Sequence, residues 1–378
     1  MGVWLTDRQA LLMSALAYID VDQFWFPKEQ FRNKTLEELF LAATRYEAED
    51  GTNRRERRIP YNGGYTHQEF MGILEEIAKD SVLKGLIIVD YLNDNKDGNQ
   101  HRDLLEDQQK REEYDYSGFV GIALKDENNN SVVLFRGSEG IKEQEVEGVS
   151  SPYLTKDWLE NYRFACGGSE QLSLAVEFTK RNTLDCRELT FLTGHSKGGA
   201  IGAYVAGVLP AMTGKVFDAP GISQFFTMGQ LQRLKESGLK NYVAKGDVVG
   251  ALFFHAESVV FVETNEMEVI DGEVQRKYYY DDNYIDEEGE RKPLTLDTMD
   301  FRDIGNFHRL QAIDFNELGE VMEGEQGCFS LAAERLSQQL YMDNMKAGNL
   351  LGELLNQYVQ LEHGTRVLGM YFANRMDQ

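Results

Sequence analysis

Cysteine is scarce in this chain: three in 378 residues, Cys166, Cys186 and Cys328. An odd number cannot all pair, and their spacing fits no zinc template, so neither a disulfide framework nor a thiolate metal site is expected. A reducing compartment suits them, and a cytoplasmic location is the expectation. Positive charge is also in deficit, with 39 Lys and Arg against 63 Asp and Glu and a net charge of −24. That balance repels phosphates and excludes nucleic acid as the expected partner. The one basic cluster, Arg54-Arg55-Glu56-Arg57-Arg58, lies near Glu47, Glu49 and Asp50 and reads as a solvated loop. Long uncharged apolar runs are missing. The longest candidate, 189–212, contains His195 and Lys197, so no transmembrane segment is expected. No basic region precedes an apolar stretch at the start, so no signal peptide is expected. Met1-Gly2-Val3-Trp4-Leu5-Thr6 has the form of a myristoylation pattern, but Thr6 with Gln9 also reads as a helix capping box. Asn93-Asp94-Asn95-Lys96-Asp97-Gly98 begins like a calcium loop, yet its twelfth position is Leu104 instead of a bidentate glutamate. No metal or organic cofactor is expected. Internal repeats and low-complexity linkers are lacking too.

Hydrophobic residues make up 42% of the chain and aromatics 11%, enough for a sizeable core. Apolar residues recur at helical spacing over 6–21, a Thr35/Glu38 capping box opens a second helix, and 68–77 fits a third. The run 82–92 reads as a buried strand. Residues 120–124 and 132–135 are short apolar runs joined by Asp126-Glu127-Asn128-Asn129-Asn130, the pattern of a hairpin. After Gly168 the chain alternates: helix 170–181, strand 188–193, helix 199–211, strand 215–219, helix 222–237, strand 241–245. Alternation of this kind predicts an α/β fold with a mainly parallel sheet covered on both faces. A further strand is expected at 258–263, an acidic, tyrosine-rich excursion or hairpin over 264–298, and helices beyond 315. The expected organisation is one domain over 1–378: an N-terminal helical region over 1–80, a catalytic core over 81–314 and a C-terminal helical extension over 315–378.

The most informative run is Thr190-Phe191-Leu192-Thr193-Gly194-His195-Ser196-Lys197-Gly198-Gly199. A short apolar strand passes through Gly-x-Ser-x-Gly into a small-residue helix, the context of a nucleophile elbow at Ser196. A serine hydroxyl needs a base, normally a histidine oriented by a carboxylate. Asp247 directly follows a strand and is the leading acid; Asp218, at the end of the preceding strand, competes with it. Three histidines follow Ser196: His308, where a loop enters a helix, is the preferred base over His255 and His363. His195 is expected to point away from the nucleophile. For the oxyanion hole, the two donors expected are the backbone N–H of Lys197 and Ser138, in Phe135-Arg136-Gly137-Ser138. Lys197 opposes the helix dipole and should either form an ion pair or attract an anionic group.

Phe135-Arg136-Gly137-Ser138, Asp157-Trp158-Leu159-Glu160-Asn161, the Gly194–Gly199 elbow, Asp247-Val248-Val249 and His308 resemble the class 3 (fungal-type) lipase branch of the α/β-hydrolases. More closely, with Phe217-Asp218-Ala219-Pro220-Gly221, they resemble a bacterial lipase-like set. The resemblance covers roughly 6–315. It implies an α/β-hydrolase fold with Ser196 as nucleophile, Asp247 as acid, His308 as base, Ser138 in the oxyanion hole, and a small-molecule or lipid ester as substrate. Apart from the resemblance, the segment 141–155, with Gly148, Ser150 and Ser151, reads as either a lid or a plain surface loop. Class 3 lipases generally carry an apolar residue after the nucleophile, where this chain has Lys197. An acyltransferase or thioesterase would use the same triad, and a pseudo-hydrolase binding a protein partner would keep the fold without the chemistry.

Overall fold

The computed structural model describes residues 4–25, 28–49, 67–94, 117–138, 142–146, 149–153, 160, 169–183, 189–264, 267–268, 277–279, 283–285, 291–293, 308–327 and most of 330–337. The basic cluster at 54–58, the three cysteines, most of the calcium-like loop, His363 and the expected helix over 350–367 lie outside these residues.

A seven-stranded sheet organises the chain: β1 (Ile87–Asn93), β2 (Val120–Lys125), β3 (Ser131–Phe135), β6 (Thr190–His195), β7 (Met212–Phe217), β8 (Lys240–Ala244) and β9 (Ser258–Val262), in that spatial order. The first three are antiparallel neighbours, and β3 through β9 run parallel. The sheet is therefore mixed but mainly parallel, with β1 at one edge and the expected β2–β3 hairpin next to it supplying the antiparallel part. Its turn closes through the Asp126 carboxylate, which accepts from Asn128 and Asn130 N–H, while Asn129 takes a left-handed φ of 65°.

Alternation along the strands divides the core between two faces. Leu134, Phe191 and Phe217 face one way and pack with Leu12, Met13 and Leu16 of α1 (Asp7–Leu16); α2 (Leu36–Glu49) and α3 (His67–Lys79) cover the same face. Val133, Phe135, Leu192 and Val216 face the other way, against Leu172 and Phe178 of α4 (Glu170–Thr183) and Ala200, Ile201 and Val205 of α5 (Lys197–Val208). Both capping boxes form: Thr6 Oγ1 accepts from Gln9 N–H at 3.2 Å, and Thr35 Oγ1 from Glu38 N–H at 3.1 Å. The first helix ends at Leu16, and Val21–Phe24 is a separate 3-10 turn. The expected helix over 222–237 divides into a 3-10 turn, Ser223–Phe225, and α6 (Met228–Glu236), which is re-initiated by a Thr227–Gln230 capping box.

Two smaller pairings lie outside the main sheet. The segment expected as a lid holds the antiparallel pair β4 (Lys142–Val146) and β5 (Val149–Tyr153). The acidic excursion contains β10 (Met267–Glu268), β11 (Lys277–Tyr279), β12 (Asn283–Ile285) and β13 (Arg291–Pro293) in an antiparallel meander. The chain after His308 returns to the sheet through bridges Thr264–Ile313 and Val262–Glu323. The parallel strands β3, β6, β7 and β8 all end at one edge, and the loops there carry Ser138, Ser196, Asp218 and Asp247. With helices on both faces, this is an α/β-hydrolase architecture, and loops at that edge are where such sheets place their sites.

Candidate active site

Ser196 connects β6 directly to α5 with φ 57° and ψ −132°, a region that side chains other than glycine rarely adopt. Neighbouring bonds hold it there: its N–H donates to Phe217 O at 2.9 Å, and its carbonyl accepts the first helical bond from Ala200 N–H at 3.1 Å. The flanking glycines are required by close approach. A Cβ on Gly194 would lie 2.6 Å from the Gly198 carbonyl group, and one on Gly198 would strike the Phe135 carbonyl oxygen. Strain at one residue, fixed by its surroundings, is a mark of a functional site.

His308 and Asp247 meet next to His195, the residue before Ser196. His308 Nδ1 and Asp247 Oδ1 are 3.1 Å apart. Asp247 is fully buried, and its carboxylate also accepts from Val249 N–H at 3.1 Å and Gly250 N–H at 2.7 Å. With Nδ1 engaged, Nε2 of His308 is the ring atom left for proton transfer. No hydrogen bond joins Ser196 Oγ to His308 among the described residues. Ser138 is half-buried just beyond β3, and a Cβ on the adjacent Gly137 would lie 3.3 Å from Ser196 Cβ. Lys197 is buried as the first residue of α5, which puts its backbone N–H at the helix N-terminus next to Ser196.

The other candidates fall elsewhere. His255 Nδ1 pairs with Glu257 Oε1 at 2.7 Å, at the end of the sheet where β9 begins. Asp218 is fully buried with a left-handed φ of 47°, and its Oδ1 accepts from Ala244 N–H at 2.7 Å, so it does not hold His308.

His195 has a hydrogen-bonding role, and its partners lie at the candidate site. Its ring lies 4.7 Å from that of His308, and its Nε2 is 2.7 Å from the His308 carbonyl oxygen. A carbonyl only accepts, so Nε2 carries the proton and Nδ1 accepts from Tyr18 O–H at 2.9 Å. Burial, and then the neighbouring His308, push the His195 pKa well below its usual value, which keeps the ring neutral. Tyr18 just beyond α1 thus supports His195, and His195 supports the His308 backbone. No local motif announces Tyr18; its contact spans 177 residues.

His195, Asp218 and His308 offer ligand atoms within 4.8 Å of one another, a grouping that could hold a divalent ion. The hydrogen bond from His195 to the His308 carbonyl already uses Nε2, so an ion would have to displace it. A separate cleft of about 570 Å³, lined by Trp4, Asp7, Lys215, Lys240, Tyr242 and Glu320 among others, includes none of the residues around Ser196. No helix among the described residues is long and apolar enough to cross a membrane.

Residues 168–301 match the model of the Mbeg1-like family, which is lipase-like. No curated protein matches in sequence. Similar solved structures include a mutant form of MDLA from Penicillium cyclopium, with 11% identity over 72% of this chain and 84% of that one and a TM-score of 0.36. M37 lipase has 12% identity over 66% of this chain and 70% of its own, with a TM-score of 0.30. A deletion mutant of the Rhizomucor miehei lipase propeptide complex has 15% identity over 47% of this chain and a TM-score of 0.28. This chain covers 56% of that lipase's length.

Proposed function

We propose that this protein is a serine hydrolase that cleaves carboxylic esters through an acyl-enzyme. One observation carries the reading: the strained Ser196 directly follows His195, whose ring lies 4.7 Å from that of His308, and the Nδ1 of His308 is engaged by buried Asp247. Ser196 Oγ attacks the ester carbonyl carbon while His308 Nε2 takes its proton. Asp247 fixes the ring through Nδ1 and stabilises the imidazolium that forms. The oxyanion that develops is held by the Lys197 N–H and by Ser138. His308 then returns the proton to the leaving alkoxide as the tetrahedral adduct collapses to the acyl-enzyme. Water, deprotonated by His308, releases the acid and restores Ser196. The β4–β5 pair in 142–153 follows Ser138 closely in sequence and is the candidate lid over the acyl group.

The test is hydrolysis of a p-nitrophenyl ester series from acetate to palmitate. Wild type should release p-nitrophenolate, and Ser196→Ala should lower kcat/KM by roughly 10³-fold or more. Asp247→Asn should also lose most of the rate, since an amide cannot stabilise the imidazolium. Wild-type rates equal to those of Ser196→Ala would refute the proposal.

A further inference from the structure

Asp218 presents a polar atom that the site as described leaves unexplained. Its side chain is fully buried, and Oδ1 takes the Ala244 N–H, but Oδ2 has no hydrogen-bond partner. The basic group nearest to Oδ2 among the described residues is His195, with Nε2 at 4.0 Å, and that nitrogen donates to the His308 carbonyl. The Asp247 carboxyl comes to the same place from the loop after β8. The two share one small volume: a Cβ on Gly250 would lie 2.7 Å from Asp247 Oδ2 and 2.9 Å from Asp218 Cα. Ionising two buried carboxylates that border one small volume, without a cation between them, is costly. The two are not equally served: Asp247 has two backbone donors and His308, and Asp218 has the Ala244 N–H alone.

We propose that Asp218 is a neutral carboxylic acid whose O–H donates to the Asp247 carboxylate, making it a positioning residue for the Asp247–His308 pair. The proton occupies the otherwise unpartnered Oδ2 and supplies Asp247 with a donor that backbone groups do not. Burial, and next the Asp247 charge, push the Asp218 pKa well above the usual carboxylate range, in keeping with this geometry. Its protonation state stands independently of any activity, whereas its catalytic consequence rests on the hydrolase reading.

Linkage gives a direct test. The unfolded chain loses the Asp218 proton above about pH 4, while the folded protein keeps it, so this group makes wild type less stable as pH rises. Asp218→Asn cannot ionise and lacks that penalty. Denaturant unfolding of metal-free wild type and Asp218→Asn should therefore diverge. The ratio of their unfolding constants should change by about tenfold per pH unit between pH 5 and 7, in favour of Asn as pH rises. Parallel stability curves would overturn the proposal. So would stabilisation of wild type by added Zn²⁺ that Asp218→Asn abolishes, which would assign the cluster to a metal. Should the variant not fold, wild type with ¹³C-labelled aspartate decides: one carboxyl resonance should remain at its protonated position at pH 7. Ionised shifts for every aspartate would overturn the proposal. In ester hydrolysis, Asp218→Asn should keep kcat near wild type, because an amide N–H replaces the O–H. Asp218→Leu should lose about tenfold or more in kcat at unchanged KM. Equal losses in both would make Asp218 merely structural. Inactivity of wild type would count against the hydrolase reading alone and leave the unfolding and ¹³C results to stand.

Discussion

His195 shows how one residue links packing to chemistry. Its position before Ser196 in an extended strand makes strand alternation predict opposite directions for the two side chains, and that much of the expectation is sound physics. The sharp turn at Ser196 and the returning loop change what His195 meets: the rings of His195 and His308 lie together, with Tyr18 behind. Neither contact has a sequence signal, because both are made across more than a hundred residues. Tyr18→Phe should leave His195 without its donor at Nδ1 and loosen the hold on His308. We expect a loss of several-fold in kcat with about 1 kcal/mol of stability, measured by ester hydrolysis and thermal melting on the same samples. The buried, neutral His195 also sets an acid dependence. Below about pH 6.5 the unfolded chain takes up a proton that folded His195 resists, so stability falls as pH drops through that range. His195→Asn should flatten this region of the curve of melting temperature against pH.

Elements with strong local signals were legible. The β2–β3 hairpin, both capping boxes, and β6 running into α5 follow from turn chemistry, side-chain oxygens three residues from their partners, and an unbroken apolar run. Less legible was the divided segment 222–237, where apolar spacing continues but Thr227 and Gln230 form a new cap and restart the helix. The attachment of α1 was also hidden. Asp7, in the first turn of α1, pairs with Lys215 Nζ of β7 at 2.7 Å, accepts from Tyr242 O–H of β8 at 2.9 Å, and accepts from Val321 N–H at 3.1 Å. This anchor ties the helix under Tyr18 to the sheet. Asp7→Ala should destabilise the fold by about 3–5 kcal/mol, because it leaves Lys215 buried without its counter-charge. Burial alone would raise the Asp7 pKa, but Lys215 and the Val321 and Tyr242 bonds outweigh it, and the net shift is downward. The group's contribution is therefore complete above the unfolded value near 4 and is lost as pH falls below it. Acid titration followed by circular dichroism should show a weaker transition below pH 4 in Asp7→Asn than in wild type.

At the scale of the molecule, alternating strands and helices foretold the parallel portion of the sheet and the turn cluster foretold its antiparallel hairpin, but neither foretold that β1 pairs with β2 at the edge. Strand order depends on which edges pair, and local patterning carries little of that information. The convergence of Ser138, Ser196, Asp218 and Asp247 follows from topology, since parallel strands deliver all their C-terminal loops to one edge. Pairing within that group depends on packing detail, and there two carboxyls with similar sequence context diverge: Asp247 reaches His308, while Asp218 turns to the Ala244 N–H. The net charge of −24 gives the molecule as a whole a field that disfavours anionic substrates approaching from afar and leaves neutral esters unaffected. The proposed chemistry depends throughout on Ser196 being a nucleophile. Intact-mass analysis after incubation with a fluorophosphonate tests that most directly. A nucleophilic Ser196 predicts a single adduct on folded wild type and none on Ser196→Ala. An unmodified folded wild type, or equal labelling of the variant, would contradict it.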